Sequence, residues 1–158
     1  VRDLNGLEPS GLLRRIDAAG FDLVAPWPGK RPWESGTIGM YLEGVWRLLV
    51  ARLGTVDEQD PVKRLDVSVL QERILGPILG VGDPRTDARI AFCGGIRGVA
   101  ELIRRVDSGE HAVAFAMHPT SLADVMHVAD AGAVMPPKST WFEPKLRSGM
   151  VVHVLDPE

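Results

Sequence analysis

Sulfur chemistry is nearly absent from this sequence, in which Cys93 is the only cysteine. One thiol closes no internal disulfide, and no cysteine group exists to hold structural zinc. Histidine is sparse too: His111, His118, His127 and His153 are scattered at spacings that suggest no metal site. A basic excess is missing, since 18 Lys and Arg face 21 Asp and Glu, for a formal charge of −3. Nucleic-acid binders usually carry the opposite balance, so nucleic acid is not an expected partner. No apolar run approaches the ~18 residues of a membrane span, and no membrane partner is expected. The opening residues are polar and lack the apolar segment of a signal peptide. These absences point to a cytoplasmic location. The first residue is Val1 rather than methionine, so the chain is expected to be part of something longer.

What is present suffices for a core. The apolar fraction is 45% of 158 residues, ordinary for one folded domain. Leu12, Leu13 and Ile16 share one face of a helix predicted over Ser10 to Ala19, with Ser10 as N-cap and Gly20 just past the end. Phe21 to Val24 reads as a short strand. A loop punctuated by Pro and Gly follows, and its Trp27 and Trp33 are expected to pin it to the body. Thr37 to Leu53 reads as a β-hairpin: Ile38, Met40 and Leu42 alternate, Glu43-Gly44 turns, and Trp46, Leu48 and Val50 resume. That alternation predicts a sheet covered on one face. A polar break from Gly54 to Lys63 is the expected flexible point.

Ser68 opens S-V-L-Q, which reads as a capping box with Gln71 reaching back, before a helix carrying Leu70, Ile74 and Ile78 and ending near Gly76-Pro77. Asp83, Arg85 and Asp87 fall in an exposed turn. From Arg89 the pattern becomes strand, helix, strand, helix. Ile90 to Cys93 reads as a strand leading through Gly94-Gly95 into a helix with Ile96, Val99, Leu102, Ile103 and Val106 on one face, closed by Gly109. Ala112 to Met117 reads as a strand buried on both faces. Ser121 caps a further helix striped by Leu122, Val125, Met126 and Ala129, which Gly132 ends. A loop from Met135 to Met150, M-P-P-K-S-T-W-F-E-P-K-L-R-S-G-M, precedes a last strand from Val151 to Leu155. The expected fold is α+β: a single domain over 1–158, with helix and hairpin in 1–56 and a βαβα-rich part with a mixed sheet in 64–158.

If the two βα units lie in one parallel sheet, Gly94-Gly95 and the turn from His118 to Ser121 sit at carboxyl ends of strands, where α/β sheets bind ligands. Each turn feeds a helix N-terminus, whose free amides favour an anion. Arg97 is expected in the first turn of one helix, and Thr120 and Ser121 bring hydroxyls to the other. The Met135 loop adds Lys138, Ser139, Thr140 and Lys145. The pattern predicts a pocket for a phosphate or carboxylate, with His118 placed to orient or deprotonate a hydroxyl. The plainer readings stand beside it: Gly94-Gly95 as a tight turn, Ser121 as a cap, His118 as a structural histidine and the lysines as solvated. Asp66, Asp83 and Asp87 resemble caps and turn residues more than catalytic carboxylates.

L-D-V-S-V-L-Q-E-R-I-L-G-P-I-L-G at 65–80, A-F-A-M-H-P-T-S at 114–121 and M-P-P-K-S-T-W-F-E-P-K-L-R-S-G at 135–149 resemble the bacterial and archaeal family called domain of unknown function 1015. G-M-Y-L-E-G-V-W at 39–46 and D-L-N-G-L at 3–7 are similar to its middle region. Members of that family are about twice this length, so the resemblance implies that these residues are a C-terminal portion whose first partner is the missing N-terminal domain. It further implies nucleotide or small-molecule phosphate chemistry centred on the upstream half; it identifies no cofactor, a nucleotide being the candidate for the full-length protein. The family's upstream half carries an Asp-Gly-His-His-Arg motif similar to the ParB-like fold of free-serine kinases, and that motif does not occur here. His118 and the Lys138 to Lys145 loop are the motif positions carried over. The competing expectation is a non-catalytic module that packs on the upstream domain or forms a homodimer.

Overall fold

The computed structural model describes residues 1–28, 34–94 and 97–140. Among them the chain forms four α-helices and one four-stranded sheet, an α+β fold. Helix α1 spans Pro9–Ala18, strand β1 Phe21–Val24, β2 Thr37–Leu42 and β3 Val45–Ala51. Helix α2 (Asp66–Leu70) continues directly into a π-helical segment, Gln71–Leu75, and α3 (Gly98–Asp107), β4 (Val113–Met117) and α4 (Leu122–Asp130) follow.

The sheet order is β1-β3-β2-β4. The hairpin is built as its residues dictate: Glu43 and Gly44 both take positive φ, 49° and 75°, which a two-residue hairpin turn requires. Its register pairs Leu42 with Val45 and Ile38 with Leu49. On the other side β2 pairs with β4, Ile38 opposite Met117 and Leu42 opposite Val113.

Every pairing among the described residues is antiparallel, which corrects the mixed sheet expected for residues 64–158. Ile90 to Cys93 is not a strand; it runs as irregular chain into the approach to α3. A short apolar run fits a buried strand or any other buried segment, and periodicity does not separate them. The two expected βα units therefore do not share a parallel sheet here. The strand expected from Val151 to Leu155 lies outside the described residues.

Two caps also fall elsewhere. Glu8 is the N-cap of α1 and Pro9 its first residue, so Ser10 is already helical; a proline whose missing N–H is an orphan anyway fits that position. Helix α2 begins at Asp66, and Ser68 is buried inside it rather than capping it. Gln71 does not reach back; its Nε2 donates to the carbonyls of Val81 and Gly82, both at 3.0 Å. In the π segment Gly76 N bonds Gln71 O at 2.9 Å, five residues back. The helix ends at Gly76-Pro77 as expected. Asp83 and Arg85 are exposed as expected, whereas Asp87 is half-buried and paired with Arg89 at 2.9 Å.

One face of the sheet meets α1 and α2. Leu12, Ile16, Phe21, Ile38, Met40, Leu42, Leu49, Ile74 and Leu79 form its core. The opposite face is covered too, contrary to the one-sided reading of the hairpin. Trp27, Tyr41, Trp46, Ala114 and Ala116 pack there against Val99, Leu102, Ile103 and Val106 of α3. Trp27 is buried, and its N–H donates to Trp46 O at 3.1 Å, so this tryptophan does pin its loop. Trp33 lies outside the described residues. The polar break is a set of hydrogen-bonded turns: Thr55 Oγ1 donates to Gly20 O at 2.9 Å, and Asp60 accepts from the amides of Val62 and Lys63. No described helix is long and apolar enough to cross a membrane.

Candidate functional site

A cleft of about 1370 Å³ opens between α2, β4, the approach to α3, the start of α4 and the proline loop. Gly94, Arg97, His118, Thr120, Ser121, Lys138, Ser139 and Thr140 all line it. Gly95 and Lys145 lie outside the described residues. The cleft thus gathers the described candidate residues without the parallel sheet that first suggested their proximity.

His118 follows Met117, the last residue of β4, and its position is set by the pairing of Met117 with Ile38. Two residues on, Thr120 Oγ1 donates to Ser139 O at 2.8 Å, tying the H-P-T-S turn to the proline loop. That loop is tightened locally: Ser139 Oγ and N both donate to Pro136 O, at 2.6 and 3.3 Å. Lys138, between them, has φ 61°, a left-handed conformation that few residues other than glycine adopt. Its side chain is exposed on the cleft rim.

Ser121 is committed to its helix. Its Oγ donates to Asp124 Oδ2 at 2.6 Å and accepts from Asp124 N at 3.0 Å, while its own N–H donates to Asp124 Oδ2. This capping box occupies the amides of Ser121 and Asp124 and sets a carboxylate at the helix start, where an incoming anion would be repelled. The Ser121 hydrogen bonds, with help from the Arg64 guanidinium, hold the Asp124 carboxyl below the usual range. Arg97 stands just before α3 as its N-cap, not in the first turn, and its N–H donates to Gly94 O at 3.0 Å.

Three polar residues of the cleft were not singled out as site residues from sequence. Arg64 Nη2 pairs with Asp124 Oδ1 at 3.0 Å, joining the lead into α2 to α4. The S-L-A-D spacing at 121–124 signals that Asp124 is a cap, but nothing signals Arg64 as its partner. Asp66 is the third. Its Oδ1 accepts from Gly36 N at 2.7 Å and more weakly from Ser35 Oγ at 3.4 Å, across thirty residues of chain. Burial raises its pKa above the ordinary aspartate value; the Gly36 and Ser35 hydrogen bonds and nearby His118 offset part of that rise. Asp66 and Asp124 both face the cleft, yet their surroundings push their proton affinities in opposite directions. Such divergence is how neighbouring carboxylates take different roles.

Among the described residues no group of three or more His, Cys, Asp and Glu is placed to hold a metal. Compared with family models, with curated proteins and with solved structures, the chain matches none.

Proposed function

We propose that the cleft binds a small molecule through an anionic group, phosphate above all, and that the chain is the C-terminal domain of a cytoplasmic small-molecule enzyme of phosphotransferase, kinase-like type. Lys138 and Arg97, with Lys145 from the same loop, supply the positive charge. His118 orients or deprotonates a substrate hydroxyl, and Ser139 and Thr140 add polar groups from the loop. The observation that carries this reading is the hydrogen bond from Thr120 to Ser139, because it holds the His118 turn against the Lys138 loop at one wall of a cleft large enough for a metabolite. The nucleotide and the N-terminal half implied by the resemblance would complete the reaction.

The reading is tested by thermal denaturation with phosphates and nucleotides, for the chain and for Lys138→Ala. Ligand at a hundred times its Kd stabilises by about 2.7 kcal/mol, a rise of several degrees. The rise should vanish in Lys138→Ala. No rise with any phosphate compound would sink the proposal.

One observation favours the second reading, a non-catalytic packing or dimerisation module. Leu122, Met126 and Val134 are 70%, 56% and 84% exposed, an apolar row on and just after α4. A mass that doubles with concentration in light scattering, and returns to monomer in Met126→Lys, would support it.

A further inference from the structure

We propose that Asp66 is a second anchor of the cleft, accepting a hydrogen bond from a hydroxyl of the ligand, so that the molecule bound is a hydroxylated phosphate ester rather than bare phosphate. This rests on the reading of the cleft as an anion site.

Three observations support it. The first is the asymmetry of the Asp66 carboxylate. Gly36 and Ser35 hold Oδ1, while Oδ2 has no partner among the described residues, and the side chain lines the cleft. Asp124 differs: Ser121 occupies its Oδ2 and Arg64 its Oδ1, so it has little left to offer a ligand. The second is position. Asp66 lies close enough to feel the charge of His118, and Thr120, two residues beyond, bonds Ser139 beside Lys138. Lys138 and Asp66 line the same cleft, so a ligand gripped at Lys138 can reach Asp66 with its other end. The third is chemical. An ionised carboxylate only accepts hydrogen bonds and repels phosphate, so it serves the donor part of a ligand and not the anionic part. A cleft of about 1370 Å³ has ample room for both parts.

Titration calorimetry with inorganic phosphate and with glycerol 3-phosphate tests this on the chain, Asp66→Asn and Lys138→Ala. The asparagine still accepts from Gly36, and a single cooperative melting transition at or slightly above that of the unaltered chain verifies its fold. The ester should bind about tenfold tighter than phosphate, the value of one charge-assisted hydrogen bond. Asp66→Asn should remove most of that advantage without weakening inorganic phosphate, whose affinity stays the same or rises slightly as a repelling charge is lost, whereas Lys138→Ala should weaken both ligands. The ester's advantage should also shrink on acidification, starting above the pH at which an ordinary aspartate takes up its proton. Equal affinities in the unaltered chain, or an advantage that survives Asp66→Asn, would overturn the role of Asp66 while leaving the anion site intact. Absence of binding by both ligands would remove the anion site itself and this inference with it.

Discussion

Around the hairpin, aliphatic side chains vanish from solvent; around the cleft, the same residue types stand at the surface. Leu12, Ile16, Met40 and Leu49 are each 0% exposed, whereas Leu122 and Val134 are 70% and 84% exposed. The hairpin region is ordered by interdigitation on both faces of a sheet. The cleft rim is ordered by polar ties: Thr120 to Ser139, Ser121 to Asp124 to Arg64, and Asp66 to Gly36. Burial is non-directional and sums over area, which suits it to stability. Hydrogen bonds are directional and individually modest, which suits them to aiming groups at a ligand. The molecule divides these duties between two regions joined by β4.

The contrast breaks most visibly under truncation. Met40→Ala should cost about 3 kcal/mol, the usual cost of a cavity in a closed core, whereas Leu122→Ala should stay within about 0.5 kcal/mol. Urea unfolding of the two variants checks this. Equal losses would mean that α4 is as enclosed as the hairpin, and the two-region picture would fail.

A smaller effect probes the aromatic face. Gly39 lies under Trp27, and a Cβ there would fall 2.8 Å from Trp27 Cζ3. Gly39→Ala should therefore displace the indole and cost about 1–3 kcal/mol, read as a shift in tryptophan emission together with a lower melting temperature. Unchanged emission would show that this face is looser than its opposite.

The smallest effect lies on the cleft side and is a slope with pH. Asp66 binds its proton more tightly folded than unfolded. Between the two pKa values the native state holds more protons, so stability falls as pH rises through that window. Asp66→Asn should lack this contribution and be slightly more stable than the unaltered chain at neutral pH. Melting temperatures of both proteins across pH 4 to 8 give the difference directly; a variant less stable at neutral pH would make Asp66 a structural residue. A stabilising substitution at this position would show that Asp66 is not retained for stability.

The hairpin was legible in sequence because its information is local. Alternation over Ile38, Met40 and Leu42 and the Glu43-Gly44 turn need only neighbours in the chain. The end of α1 at Gly20 and the Ser121 cap of α4 were legible for the same reason. Ile90 to Cys93 misled because four apolar residues meet the requirements of any buried segment, and whether they pair depends on a neighbour strand that sequence does not place. The error did not scatter the site. His118, Thr120 and Ser139 come together through an antiparallel strand, outermost among the described residues, and one side-chain hydrogen bond instead of parallel strand ends. Asp66 stayed hidden because its environment is made by Ser35 and Gly36, thirty residues upstream, and burial is a property of the assembled fold.

The parity of β2 has a consequence for accuracy in assembly. Its even-numbered residues Ile38, Met40 and Leu42 belong to the aliphatic core, and the odd-numbered Gly39 and Tyr41 meet tryptophans on the other side. A one-residue slip would exchange the two sets. Glycine and a tyrosine hydroxyl would then enter the aliphatic core, and Met40 would be driven into the space that only Gly39 leaves for an indole. Neither interior would accept its new occupants. A strand with one wet face can err at the expense of one interior, but β2 would spoil two at once. It works as an alignment mark, and β4, which takes its position from β2, delivers His118 to the cleft with the same precision.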